Sequence, residues 1–249
     1  MLFRSMLARL GDDLFGGQLL AGLRARGVDT TYVAIDSQIP TGASTVLAAE
    51  GDYSSVIAPG AAARLSIDDV DCARAAIQAA SALTVQLELP VAVSNYAAGM
   101  AAQMGTPVIF NASPAPERWS QVPESLWQAT EILIMNQVEA GSLLGRSIQP
   151  VQAAAALADL AARFGIQTIV ITFGAAGSAA WSAGEVVQQA AFPAVVADTV
   201  GAGDAFWGCF RWRWWRVWQW LLPCAVRQQP VRWRWRGVAA TMRCLSAKT

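Results

Sequence analysis

Apolar residues recur at helical spacing in "DDLFGGQLLAGLRARG", where Leu14, Phe15, Leu19, Leu20 and Leu23 share one face and Gly27 stands where a helix would close. This spacing predicts a helix. The period then changes, and "TYVAI" and "STVLAAEGDYSSVIA" read as short strands, the latter folded at a turn on Gly51-Asp52. Ser66 precedes "IDDVDCARAAIQAA", which has acids in its first turn and one apolar face, so a capped helix is expected there.

From that point strands and helices alternate. The order is strand "ALTVQL", helix "AVSNYAAGMAAQMG", strands "PVIFN" and "EILIM", helices "VEAGSLLG" and "QAAAALADLAARFG", and strands "TIVITFG" and "GSAAWS". Buried strands separated by helices imply a mostly parallel sheet covered on both faces, an α/β fold built as a three-layer α/β/α sandwich. In such sheets ligands bind beyond the carboxyl ends of the strands.

Composition adds three constraints. The chain has 249 residues, 54% hydrophobic and 14% charged, with no uninterrupted apolar span of the roughly 20 residues a membrane helix requires. Its start, "MLFRSMLARLGDD", lacks an apolar stretch of signal-peptide length, so a cytoplasmic protein with no membrane partner is expected. Four cysteines lie far apart and there is no His, which argues against a zinc site, a disulfide framework and His-activated nucleophiles. The net charge of zero hides an asymmetry: up to Asp204 all 18 acids face nine Arg, whereas beyond it eight Arg and one Lys face no acid. A break of that kind marks a boundary near residue 210.

Three strand ends carry candidate chemistry. Gly201-Ala202-Gly203-Asp204 follows an extended stretch, and a helix starting at Asp204 or Ala205 would aim several amides at an anion, with Asp204 placed to accept a hydroxyl proton. An Asp N-cap after a flexible loop explains the same residues. Asn136 and Glu139 sit one helical turn apart, suited to a metal-bound water or a phosphate oxygen, and equally to a reciprocal capping pair. Thr172, Gly174 and Gly177 in "ITFGAAG" permit the close backbone approach of a nucleotide phosphate, or a plain β-turn.

Taken together and in this order, the segments resemble the PfkB-type carbohydrate kinases, the ribokinase branch in particular. "DTVGAGDAF" matches that family's C-terminal signature, and "GDDLFGGQLLAGLRARGVDTTYV", "PTGASTVLAAEGDYSSVIAPGAAARLS", "TVQLELP", "NASPAP", "NQVEAGSLLG" and "VITFGAAGSAAWS" look like ribokinase segments, covering about residues 7–209. The resemblance implies a ribokinase-like fold with a small β lid only partly present, around residues 42–58, and transfer of the ATP γ-phosphoryl to a sugar hydroxyl, ribose first. It makes Asp204 the general base and the amides of Gly201, Ala202 and Gly203 the anion hole. Asn136, Thr172, Gly174 and Gly177 would line the ATP site, Glu139 would orient water on magnesium (Mg2+), and Glu88 would contact the sugar. Asp198 and the Val200 carbonyl would hold a monovalent cation such as potassium (K+). No nucleic-acid partner is implied, and the family's lid strands can pair two subunits into a homodimer. A fructose, sugar-acid or nucleoside kinase, or a non-catalytic kinase-like binding protein, are the other readings.

Departures from the family accompany the match. The family's first strand, with its sugar-binding Asp, and its Gly-Gly-Lys-Gly segment have no counterpart ahead of "GDD", and the only Lys is Lys248. Their loss would leave an unpaired sheet edge. Ala62 stands where the family often has Asn, and "NASPAP" replaces "NPAP". These features divide the chain into a kinase domain over 1–210 and an aberrant tail over 211–249. Seven of the 11 Trp fall within 212–235 among Arg, with neither helical nor strand periodicity. A shifted reading frame explains this tail: CGGTGGCGGTGG, read two bases later, encodes Val-Ala-Val, and suitable codons turn the tail into an Ala-rich family-like ending. A functional tail that binds anionic lipid or single-stranded nucleic acid is the competing reading.

Overall fold

The structure, a computed structural model, describes residues 4–49, 52–194 and 201–208. In chain order the elements are β1 (Arg4–Ser5), β2 (Ala8–Gly11), α1 (Leu14–Ala25), β3 (Val28–Asp29), β4 (Val33–Asp36), β5 (Thr41–Ala49), β6 (Asp52–Gly60), α2 (Ile67–Cys72) and α3 (Arg74–Ala79). There follow β7 (Leu83–Val85), α4 (Val91–Gln103), β8 (Val108–Asn111), α5 (Glu124–Ala129), β9 (Ile132–Asn136), α6 (Gln137–Leu144), α7 (Ala153–Phe164), β10 (Thr168–Thr172), β11 (Ser178–Ser182) and β12 (Glu185–Gln189). A further helix, α8, occupies 202–208.

The main sheet has six strands in the order β12-β11-β10-β9-β8-β7. Neighbours among β7 to β10 are parallel, and β11 and β12 return antiparallel. Because β7 to β10 add in one direction, right-handed crossovers put all their helices on the same face. Core packing follows that rule: Phe110, Leu133, Met135, Ile169 and Ile171 meet buried residues of α4, α5, α6 and α7 in one cluster. The alternate residues Ile109, Ile132, Ile134 and Val170 point to the opposite face, where Phe206 and Trp207 of α8 pack against them. The expected α/β architecture is present, with a mostly parallel sheet flanked by helices.

The chain ahead of the main sheet forms smaller units. β1 pairs with β3 and β2 with β4, both in parallel, while β5 and β6 make an antiparallel hairpin from Thr41↔Gly60 to Ala49↔Asp52. Arg9 on β2 reaches Asp36 at 3.3 Å and Asp69 at 3.0 Å, tying β2, β4 and α2 together through charge-assisted bonds.

Two expectations need correction. The helix expected from Ser66 is interrupted: α2 ends at Cys72 and α3 begins at Arg74, while Val70, Ala73 and Ile77, at the spacing of one helical face, are all buried. Ser66 does cap it, in a reciprocal box with Asp69. The apolar face of α1 is the second case, since Leu14 is 73% and Phe15 64% exposed and only Gly16 of the helix is buried. Close approach at the small Gly16, rather than burial of the leucine stripe, sets how α1 docks: a Cβ there would lie 2.2 Å from the Gly11 carbonyl. Among the described residues no helix is long and apolar enough to cross a membrane.

Candidate active site

Asn136 ends β9 and pairs in register with Thr172, which ends β10. The two expected nucleotide contacts therefore stand side by side at the carboxyl edge of the sheet. Asn136 also begins α6, its Oδ1 accepting from the amides of Val138 at 2.8 Å and Glu139 at 2.9 Å. Glu139 reciprocates, with Oε2 accepting from the Asn136 amide at 2.7 Å. The capping pair is thus real, and Glu139 is only 5% exposed. Burial pushes its pKa above the ordinary glutamate value, opposed by the Asn136 amide and then by the Ser113 hydroxyl.

Beyond Thr172 the chain makes a tight turn: Phe173 donates to the Gly177 carbonyl at 2.8 Å, and Gly177 donates back to Gly174 at 3.1 Å. Gly174 has φ +55° and Gly177 φ +101°. At Gly177 a Cβ would also sit 2.0 Å from the Gln189 carbonyl, so strand contact with β12 already demands glycine there. Gly174 has open space beside it. Of the two glycines, Gly174 is therefore the one with room for a ligand.

Glu88 follows β7, its amide donating to Gln86 Oε1 at 2.6 Å. The pKa of its carboxyl is raised, first by desolvation and then by the negative charge of Asp204. α8 begins at 202, earlier than the sequence suggested, and Ala205 donates to the Gly201 carbonyl at 2.9 Å. Asp204 consequently lies inside the first turn and is not the N-cap. Ala202, Gly203 and Asp204 supply the first amides of the helix, the ones without partners within it. Gly201, with φ +73°, makes the turn that admits them.

Sequence reasoning missed two neighbours. Trp207 donates its indole N–H to Asp204 Oδ1 at 3.4 Å, and the i, i+3 spacing in "GDAFW" carried that signal once the helix start was known. Ser113 touches Glu139 from the loop after β8, and nothing in local spacing points to it. Asp198 and Val200, expected at a monovalent cation, lie outside the described residues, as do 211–249. Among the described residues no three or more His, Cys, Asp or Glu gather into a metal site. Among the described residues this donor set would suit magnesium only as an ion held largely by a ligand's phosphates.

A mostly parallel sheet flanked by helices, with a helix that opens on a glycine turn, defines the class as an α/β protein. The model of the pfkB family carbohydrate kinases matches residues 4–215, and the chain belongs to that family. It is 31% identical to the ribokinase of Mus musculus over 209 residues, covering 82% of this chain and 63% of that protein. Identity to the ribokinase of Haemophilus influenzae is 30% over 207 residues, covering 83% of this chain and 66% of that protein. The chain therefore spans less than two thirds of the length of these relatives. The structure of Arabidopsis thaliana ribokinase complexed with ribose and ATP superposes with a TM-score of 0.73 at 29% identity, covering 84% of this chain and 68% of that one.

Proposed function

We propose that this chain acts as an ATP-dependent sugar kinase, with ribose as the leading acceptor. The observation that carries the reading is the turn at Gly201, φ +73°, that opens α8 with Asp204 in its first turn, within a chain whose residues 4–215 match the pfkB family. Asp204 accepts the proton of the sugar hydroxyl while that oxygen attacks the γ-phosphorus and ADP leaves. The amides of Gly201, Ala202 and Gly203 stabilise the charge on the transferred group. Glu88 contacts the sugar. Asn136, Thr172, Gly174 and Gly177 flank ATP, with Gly177 contributing by shaping the turn. Magnesium, when bound, would neutralise charge on the phosphates, and Glu139 would orient water on it. Asp198 and the Val200 carbonyl hold potassium, the protein works in the cytoplasm, and two copies pair through the β5–β6 hairpin. Relatives named ribokinase, and a neighbour solved with ribose and ATP, support this reading.

A non-catalytic carbohydrate- or nucleotide-binding role is favoured by one observation: the facing polar atoms of Asn136 and Glu139 are already engaged with each other. ADP release measured over a panel of ribose, deoxyribose, fructose, sugar acids and nucleosides separates the two, with Asp204→Asn as the control. Turnover abolished by that substitution supports the kinase; sugar binding without turnover supports the alternative.

A further inference from the structure

We propose that Asp13 is a positioning residue whose grip on Thr41 sets the angle at which the β5–β6 hairpin leaves the body of the protein. Asp13 caps α1, its Oδ1 accepting from the Gly16 amide at 2.8 Å. Capping needs one acceptor, yet this carboxylate makes two more bonds outside the helix. Oδ1 also accepts from the Thr41 hydroxyl at 2.8 Å, and Oδ2 accepts from the Thr41 amide at 2.7 Å. The buried Thr41 hydroxyl in turn accepts from the Gly11 amide at 2.9 Å. One threonine thus joins the end of β2, the start of α1 and the first residue of the hairpin.

The surrounding contacts leave little slack at this root. A Cβ on Gly11 would lie 2.4 Å from the Thr41 nitrogen, one on Gly16 would lie 2.8 Å from the Thr41 hydroxyl, and one on Gly60 would lie 2.4 Å from the Pro40 carbonyl. Gly60 is the register partner of Thr41, and Ala61 donates to Pro40 at 2.8 Å, so both strands are anchored at the same place. Farther out, Val56 and Ile57 on β6 are exposed. The direction of the hairpin is therefore decided at its root, where Asp13 supplies a charged acceptor to both hydrogen-bond donors of Thr41.

Hydrogen–deuterium exchange on the full chain tests this, comparing wild type with Asp13→Asn, Thr41→Val and Thr41→Ser. Asn keeps a capping oxygen but loses one of the two acceptors, Val keeps the shape of Thr without its hydroxyl, and Ser keeps the hydroxyl. Peptides spanning 38–62 should exchange at least about tenfold faster in Asp13→Asn and Thr41→Val, with β8, β9 and β10 unchanged and Thr41→Ser close to wild type. Unchanged exchange over 38–62, equal acceleration of the main sheet, or failure of Ser to restore protection would each overturn the proposal. A kinetic consequence rests on the kinase reading and on the β5–β6 hairpin serving as the small β lid, closing over the sugar: KM for ribose should rise several-fold in Thr41→Val while KM for ATP holds. Equal rises in both would also overturn it. Wild type without turnover defeats the kinase reading for this chain and leaves the exchange result to decide the hairpin.

Discussion

Asp204 lies close enough to Glu88 for its charge to raise the Glu88 carboxyl pKa, although one residue follows β7 and the other sits in α8. Partial desolvation of the carboxyl is the larger cause, although the residue as a whole is exposed, and the Asp204 charge adds to it. The folded protein therefore holds a proton on Glu88 more tightly than the unfolded chain does. Stability is lost as pH rises from the ordinary glutamate value through the raised one. Glu88→Gln removes that loss. Its melting temperature should exceed wild type at neutral pH and match it at a pH well below the ordinary glutamate value, as read by thermal unfolding across pH. A variant that melts lower than wild type at neutral pH would contradict the pairing.

Gly177 and Gly174 should respond differently to alanine. Gly177→Ala forces a Cβ into the Gln189 carbonyl at a φ of +101°, and should cost about 2 kcal/mol or more in urea unfolding. Gly174→Ala, at φ +55° with open space beside it, should cost only about 1 kcal/mol. Its larger effect should be on ATP affinity, measured by calorimetry.

Asn136 has a capping role and a proposed nucleotide role, which two substitutions can separate. Asn136→Ala should lower stability by about 1 kcal/mol through loss of the α6 cap. Asn136→Asp keeps the cap and should leave stability near wild type. It should still weaken ATP binding, because it sets a second negative charge beside the phosphates; unchanged ATP affinity would confine Asn136 to the cap.

The main core makes a simpler prediction. Leu157 on α7 is fully buried against the sheet. Leu157→Ala should lose about 2–5 kcal/mol, and a loss under about 1 kcal/mol would mean that α7 is not packed as described.

Much of the fold was legible because burial in the main sheet leaves a simple pattern. Strands such as Ile132–Asn136 and Thr168–Thr172 are near-continuous apolar runs, and α6 and α7 close on Gly145 and Gly165, both left-handed. Period failed where the interaction is not local. The stripe on α1 predicted burial, but whether a face is covered depends on what packs against it. β12, with every residue exposed, has no apolar alternation to betray it. The break at Ala73 escaped notice because a run of Ala and polar residues fits one helix as well as two.

The candidate site shows the same division. Asn136, Glu139, Thr172 and the glycine turn were legible because each ends a strand or begins a helix, where local spacing speaks. The capping geometry of Asn136 with Glu139 was equally legible, and it is present. The proximity of Glu88 to Asp204 was not, since it depends on how α8 packs over Ile134 and Val170 from β9 and β10. The start of α8 was placed too late because Gly201-Ala202-Gly203 reads as a loop, whereas φ +73° at Gly201 lets the helix begin at once.

The central claim is that Asp204 takes the proton of a sugar hydroxyl as the γ-phosphoryl of ATP is transferred. Its most direct test is steady-state ADP release with ribose and magnesium-ATP, comparing wild type with Asp204→Asn. The account predicts ribose-dependent turnover in wild type and a loss of at least about 100-fold in kcat for the variant, with ATP affinity nearly unchanged. Turnover that survives the substitution, or ADP release that does not depend on sugar, would contradict it.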